Sequence, residues 1–156
     1  MKDEYWMELA IEKAREGIAK GQTPFGACIV KSNRKLSLEH NRVWRNRDIT
    51  AHAEIQAIRR TCQKLGRIDL SGCVIYSTCE PCPMCFSACH WARIDKIVYG
   101  AAIRDARRAG FNELSVSCRA LKKKGKSPVR LQGGLMRQES LELFRAWHRQ
   151  KNRRAY

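Results

Sequence analysis

Acidic side chains are scarce in these 156 residues: 15 Asp and Glu stand against 31 Lys and Arg, a formal net charge of +16. The deficit is uneven, with 15 basic and 4 acidic groups in residues 104–156 (net +11) against 16 and 11 before them (net +5). So lopsided a surface points toward a polyanion, nucleic acid first, with a solubilising charge as the competing reading. Long apolar runs are missing too. The longest, "FGACIV" and "GCVIYS", fall far short of the ~20 residues of a membrane-spanning helix, so no membrane partner is expected. The opening "MKDEYWMELA" has no basic start, apolar core or small-residue cleavage site. That predicts a reducing, cytoplasmic setting in which the eight cysteines are thiols. Repeats, low-complexity linkers and internal boundaries are also absent, so residues 1–156 read as one domain that buries roughly two-thirds of its unfolded surface.

What is present alternates. Apolar groups at Trp6, Leu9, Ala10, Ala14 and Ile18 make a helical stripe over residues 3–20. "FGACIVK" and "RKLSLEH", split by "SNR", read as a hairpin. "TAHAEIQAIRRTCQKLG" follows as a helix with Asp48 or Thr50 as N-cap and Gly66 past its end. Then come a buried strand "GCVIYS", a short helix entered through Pro83, and a strand "DKIVYGA". After an "AIRDARRAGFNELS" loop and the polar "KKKGKS", "PVRLQ" offers a last strand and "RQESLELFRAWHRQ" a last helix. This order predicts an α/β layer structure with helices on both faces of one sheet.

The most unusual stretch is "TCEPCPMCFSACH", in which Cys79, Cys82, Cys85 and Cys89 have the C-x2-C-x2-C-x3-C spacing of iron–sulfur ferredoxins. Here the run occurs once, at a strand-to-helix junction, and His90 rather than proline follows it. Upstream, His52-Ala53-Glu54 opens a helix. One histidine and two cysteines suit tetrahedral zinc with a fourth position left open, as in catalytic sites. At a helix start, the x of His-x-Glu lets the imidazole reach the metal while the carboxylate reaches a water. Cys82 and Cys85 flank Pro83 at the next helix N-terminus, where the dipole favours thiolate. His52-x-Glu54, 26 further residues and Pro81-Cys82-x-x-Cys85 reproduce the zinc deaminase signature. One zinc per chain is expected, with a closed four-ligand zinc or an iron–sulfur cluster as alternatives; Cys79 and Cys89 then read as small buried hydrophobes.

Taken with "TPFGACIV", "WARIDKIVYGA" and "AGFNE", these motifs resemble the cytidine deaminase superfamily over nearly the whole chain. Within it they look like the purine-deaminating branch of bacterial guanine deaminases and tRNA wobble adenosine deaminases. The resemblance implies a three-layer α/β/α sandwich with a central mixed sheet of about five strands, and hydrolytic deamination of a purine-type base, with Glu54 as proton carrier. It also implies substrate contacts from Asn41, Phe25, Ala53 and Trp91, and a second functional carboxylate at Glu113, where guanine deaminases commonly place aspartate. The "CEPCPMC" wording and a tail ending in Tyr156 look more like guanine deaminase. In that family the C-terminal segment, here 138–156, is swapped onto a homodimer partner, which would make Tyr156 a lid residue; a frayed terminal residue is the competing reading. A tRNA partner is the rival substrate, supported by Lys122, Lys123, Lys124, Lys126 and the Arg145–Arg154 cations. A non-catalytic, zinc-containing nucleic-acid-binding module is the third reading, and one that gives Glu54 nothing to do.

Overall fold

The computed structural model describes residues 2–156. The chain opens on α1 (Lys2–Ala19), whose buried stripe runs from Trp6 through Ala10 and Ala14 to Ile18. Asp3 anchors its first turn by accepting from the Tyr76 hydroxyl at 2.7 Å and from Lys96 at 3.2 Å. The hairpin β1 (Gly26–Lys31) and β2 (Arg34–His40) follows. Ser32 and Asn33 turn it with φ of 47° and 59°, the paired left-handed conformation that matches strand twist.

A short α2 (Val43–Asn46) precedes α3 (Ala53–Leu65). The expected side-chain cap of α3 is not made: Asp48 and Thr50 instead bond each other, Thr50 donating its N–H (2.8 Å) and hydroxyl (2.7 Å) to Asp48 Oδ1. His52 takes the N-cap position in extended backbone, with its ring left free for other contacts. Gly66 ends the helix at φ 63°, as its position predicts.

Strand β3 (Cys73–Cys79) leads into α4 (Pro83–Trp91), and β4 (Lys96–Ala101) returns parallel to β3. The "AIRDARRAGFNELS" segment is not all loop, because it contains α5 (Ile103–Arg108). Asp105 starts that turn by accepting from Ala102 N–H at 2.7 Å, and Arg137, 32 residues downstream, grips the same carboxylate with both guanidinium nitrogens. The lysine-rich stretch belongs to α6 (Cys118–Gly125), capped by Ser117, which accepts from Ala120 N–H at 3.1 Å. Finally β5 (Arg130–Gly133) pairs parallel with β4, and α7 (Arg137–His148) packs back on the sheet.

The mixed sheet has strand order β2-β1-β3-β4-β5, with β1 antiparallel to its neighbours. Helices α1 and α7 cover one face; α3 and α4, backed by α6, cover the other. Three layers with five strands are the expected architecture. Among the described residues no helix is long and apolar enough to cross a membrane.

Fully buried Met7, Ile29, Ile75, Ile97 and Leu143 fill the space between sheet and helices. The carboxyl ends of β3 and β4 leave a crevice at the N-termini of α3 and α4, the usual place for an α/β site. Close approach of α1 to β1 requires Gly26, because a β-carbon there would lie 2.1 Å from the Ala10 carbonyl oxygen, which belongs to rigid backbone. Gly26→Ala should therefore lower the melting temperature by roughly 5–10 °C. A melting curve unchanged from wild type would show that α1 moves away freely.

Candidate active site

Two helix N-termini converge at the end of β3. His52 precedes α3, and Cys82 precedes α4 in extended backbone (φ −64°, ψ 168°) with Pro83 behind it. His52 Nδ1 lies 3.6 Å from Cys82 Sγ and 3.5 Å from Cys85 Sγ. These three ligand atoms all lie within 4.8 Å of one another, and they form the one such cluster among the described residues.

The cysteine run is thereby split. Cys79 turns aside to the Ala102 carbonyl (3.7 Å), and Cys89 is buried in the core. A cluster held by all four cysteines has no counterpart in this arrangement, whereas an imidazole nitrogen and two sulfurs fit zinc with one position open. The donors are also prepared for a metal. The hydrogen bond from the Cys85 thiol, with help from His52, overcomes burial and brings Cys82 down to about 4. Cys85, almost wholly buried and beside that thiolate, is pushed well above its ordinary value. Burial opposes charge on His52, but the Cys82 hydrogen bond and the Glu54 carboxylate raise it on balance.

Glu54, the second residue of α3, is 6% exposed. Its carboxylate accepts from Ser77 Oγ at 3.0 Å and lies 3.6 Å from Cys85 Sγ. Burial raises its pKa, with His52 opposing. Phe25, Asn41, Glu113 and Tyr156 line the same cavity, joined by two residues that sequence reasoning left without a role, Cys79 and Glu80. Burial and the Cys82 thiolate bring Glu113 up to about 7 against the pull of His52.

Glu80 accepts from Ile103 N–H (3.0 Å) and Cys118 N–H (2.8 Å), so one buried carboxylate clasps both ends of the 103–118 segment that carries Glu113. The motif "CEPC" contains Glu80, but its partners lie 23 and 38 residues away and leave no local signal.

Two expected contacts are not brought to the cavity. Ala53 is fully buried at the first position of α3 and does not line it. Trp91 ends α4, about 13 Å along the helix from Cys82, and in this chain is 77% exposed in a separate groove with Arg93 and Arg130. The nine-residue helix that starts at the ligands carries it away from them.

The tail closes over its own chain's site. Tyr156 lies with its ring centroid 5.2 Å from that of His52, and its hydroxyl accepts from Asn41 Nδ2 at 2.7 Å. Its backbone oxygen accepts from Asn112 N–H at 2.9 Å. Trp44 donates its indole N–H to the Arg154 carbonyl (2.9 Å) and stacks under the Arg154 guanidinium (4.2 Å). With the tail in place about 20 Å³ remains, room for one water. Two of the cations invoked for a polyanion are thus committed internally: Arg154 to Trp44, and Lys122 to the Ser127 and Val129 carbonyls at 3.0 and 2.7 Å.

Comparison with known proteins agrees with this geometry. A profile of the cytidine and deoxycytidylate deaminase zinc-binding region matches residues 1–101. Guanine deaminase of Bacillus subtilis strain 168 is 37% identical over the full length of both chains. A tRNA-specific adenosine deaminase of Agrobacterium fabrum is 36% identical over 94% of both. A solved structure of guanine deaminase from Nitrosomonas europaea superposes with a TM-score of 0.84 at 30% identity, covering 92% of this chain and 83% of that one.

The Trp44 latch is testable. Losing its hydrogen bond and cation–π contact costs about 1–2 kcal/mol, so Trp44→Ala should raise the open fraction of the tail, and native-state tryptic cleavage after Lys151 and Arg153, by about tenfold. Unaltered cleavage would mean that Asn41 and Asn112 hold the tail alone.

Proposed function

The chain belongs to the cytidine and deoxycytidylate deaminase zinc-binding family, and we propose that the base it deaminates is guanine or a close analogue, giving xanthine and ammonia. It is a zinc-dependent deaminase. The observation that carries the guanine reading is the closed tail: Tyr156 covers the ligand cluster, and a tail that opens to admit a small free base can close again over the whole of it. A base still attached to RNA would have to lead its ribose and phosphates out through that lid.

His52, Cys82 and Cys85 are the residues that would hold the zinc. Bound in such an open site, zinc supplies Lewis acidity that brings the pKa of a water down to near 7. Glu54 takes the proton from the attacking water, whose oxygen bonds to the amino-bearing ring carbon. It passes that proton to the ring nitrogen, then takes the remaining proton from the newly bonded hydroxyl and gives it to the amine, which departs as ammonia as the C–N bond breaks and the carbonyl forms. Its burial raises the carboxyl toward the range in which both directions of transfer are open. Ser77 Oγ keeps one carboxylate oxygen in place at 3.0 Å. On the far side of the ring Glu113, with its pKa up at about 7, is suited to share a proton with the base. Asn41 holds the purine edge, and Phe25 supplies an apolar wall braced by Phe111 at 5.0 Å.

The working form in this reading is a cytoplasmic homodimer. Asn41, Trp44 and Asn112 offer a partner's tail the same contacts they make with the chain's own, so exchange of 138–156 leaves the chemistry of the closed site unaltered. Exposed Lys123, Lys124, Lys126, Lys151 and Arg153 support the rival reading, inosine formation in tRNA.

Purified protein is expected to carry one zinc per chain and no visible absorption. Glu54→Gln should retain fold and zinc while losing about 10²–10⁴-fold in turnover, and Cys82→Ala should lose the metal. Near-normal turnover by the Glu54 variant would overturn its assigned role, and stoichiometric iron would overturn the metal.

A further inference from the structure

Glu80 is a carboxylate held between two donors. It is 6% exposed, and its oxygens are taken separately: Oε2 by Ile103 N–H at 3.0 Å and Oε1 by Cys118 N–H at 2.8 Å. Both partners stand at the first positions of helices, α5 and α6, where backbone N–H groups lack an intrahelical acceptor. A carboxylate, with two accepting oxygens and no hydrogen to offer, fits that pair. An amide of the same size does not, because its NH2 end would face a second donor. Glu80 is itself fixed: its N–H donates to the Ala101 carbonyl at 2.8 Å and extends the pairing of β3 with β4. Two residues later the chain reaches Cys82 of the ligand cluster.

The segment between the two bonds has little else to fix its far half. Arg137 holds its start at Asp105, and Phe111 packs against Phe25 and Trp147 with ring centroids 5.0 and 4.9 Å away. From Asn112 to Ser117 the bonds are internal or lead to the tail. Glu113 N–H donates to the Phe111 carbonyl (2.9 Å), Val116 N–H to the Leu114 carbonyl (2.8 Å), Arg107 to Ser115 Oγ, and Asn112 N–H to the Tyr156 carbonyl. On its outer side the stretch borders an open groove of about 530 Å³, and Leu114 stands 66% exposed. These contacts give the stretch a shape without giving it a place. After Phe111 the next anchor is Cys118, through its N–H on Glu80 and its thiol on the Pro81 carbonyl at 3.2 Å. Glu113 lies between those two anchors and lines the same cavity as Glu80.

Resting on the reading of this chain as a purine deaminase in which Glu113 meets the ring, we propose that Glu80 is the positioning residue for Glu113. It ties the far carboxylate to the fixed end of β3 and so sets how far Glu113 stands from the base. The order Glu80-Pro81-Cys82 then has a mechanical reason. One short stretch anchored on the sheet carries a ligand for one side of the ring and the clasp for the opposite side, so the two sides keep a constant spacing. A displacement of about 1 Å can cost on the order of a hundredfold in rate, and a clasp that loosens by less still shows in turnover.

The test is a mutant cycle on zinc-loaded protein. Glu80→Gln should lower kcat/KM for guanine roughly tenfold, carried by kcat, and Glu113→Gln should lower it roughly a hundredfold. Because Glu80 acts through Glu113, the double variant should stay within about twofold of Glu113→Gln alone. Hydrogen exchange of amides 112–117, with or without the metal, should be roughly tenfold faster in Glu80→Gln and unaltered in the core strands. Cys118→Pro loosens the clasp from the donor side and serves if Glu80→Gln does not fold. The first position of α6 accepts proline, and Ser117 before it is already extended (φ −76°, ψ 154°). It should repeat both effects when measured against Cys118→Ala, which loses the thiol and keeps the N–H. Losses that multiply to about a thousandfold in the double variant, or exchange that stays at the wild-type rate, would overturn the proposal. A protein inert on guanine that forms inosine in tRNA overturns the assigned base instead; the cycle is then read on inosine, and exchange, which needs no substrate, decides on Glu80 as before.

Discussion

A carboxylate almost out of reach of water sits within hydrogen-bonding range of a thiol that belongs to a metal-ligand cluster, and most of the surrounding structure follows from keeping it there. Glu54 is tolerable in that position because Ser77 Oγ donates to it and the His52 imidazole lies near. Three elements must meet to place it beside the ligand cluster: the first turn of α3, the end of β3 and the first turn of α4. Parallel pairing of β3 with β4 requires α4 as the crossover, and the same crossover brings Cys82 and Cys85 against His52. The close seat of α1 on Gly26 then fixes the strand that leads from Phe25, so the wall of the cavity is tied to the core.

Closure depends on longer connections. Glu80 clasps the ends of the 103–118 segment, that segment presents Phe111, Asn112 and Glu113, and Asn112 in turn holds the Tyr156 backbone. Arg137 reaches across from the start of α7 to the Asp105 carboxylate. The rear wall, the far carboxylate and the lid thus form one connected unit, anchored at the ligands through Glu80 and at the tail through Trp44. A tail held this way combines close cover with contacts that break readily, since those of Trp44 are partly exposed and individually modest.

The reach of sequence reasoning follows the distance over which each feature is encoded. His52, Glu54, Cys82 and Cys85 were legible because the ligand spacing and the two helix starts are local properties, and the Ser32-Asn33 turn was legible for the same reason. Helix α5 was read as loop because its stabilising partner, Arg137, comes 32 residues later. Trp91 is named by motif wording, and within one chain helix geometry from Cys82 places it a helix length from the ligands. Glu80 and Trp44 carry no pattern at all: their significance exists only once segments 23 to 110 residues apart are brought together.

Net charge and local geometry pull in different directions. The +11 of the last third suggests a polyanion, but Lys122 and Arg154 are spent on internal bonds, while a tail that covers the site favours a free base over a polymer. The most direct measurement is a paired assay on one zinc-loaded preparation, scoring xanthine and ammonia from guanine alongside inosine in tRNA, each at about 50 and 200 mM salt. Efficient, nearly salt-independent conversion of guanine without inosine is the expected result. A preparation inert on guanine that forms inosine in tRNA, with activity falling steeply as salt rises, would contradict the account.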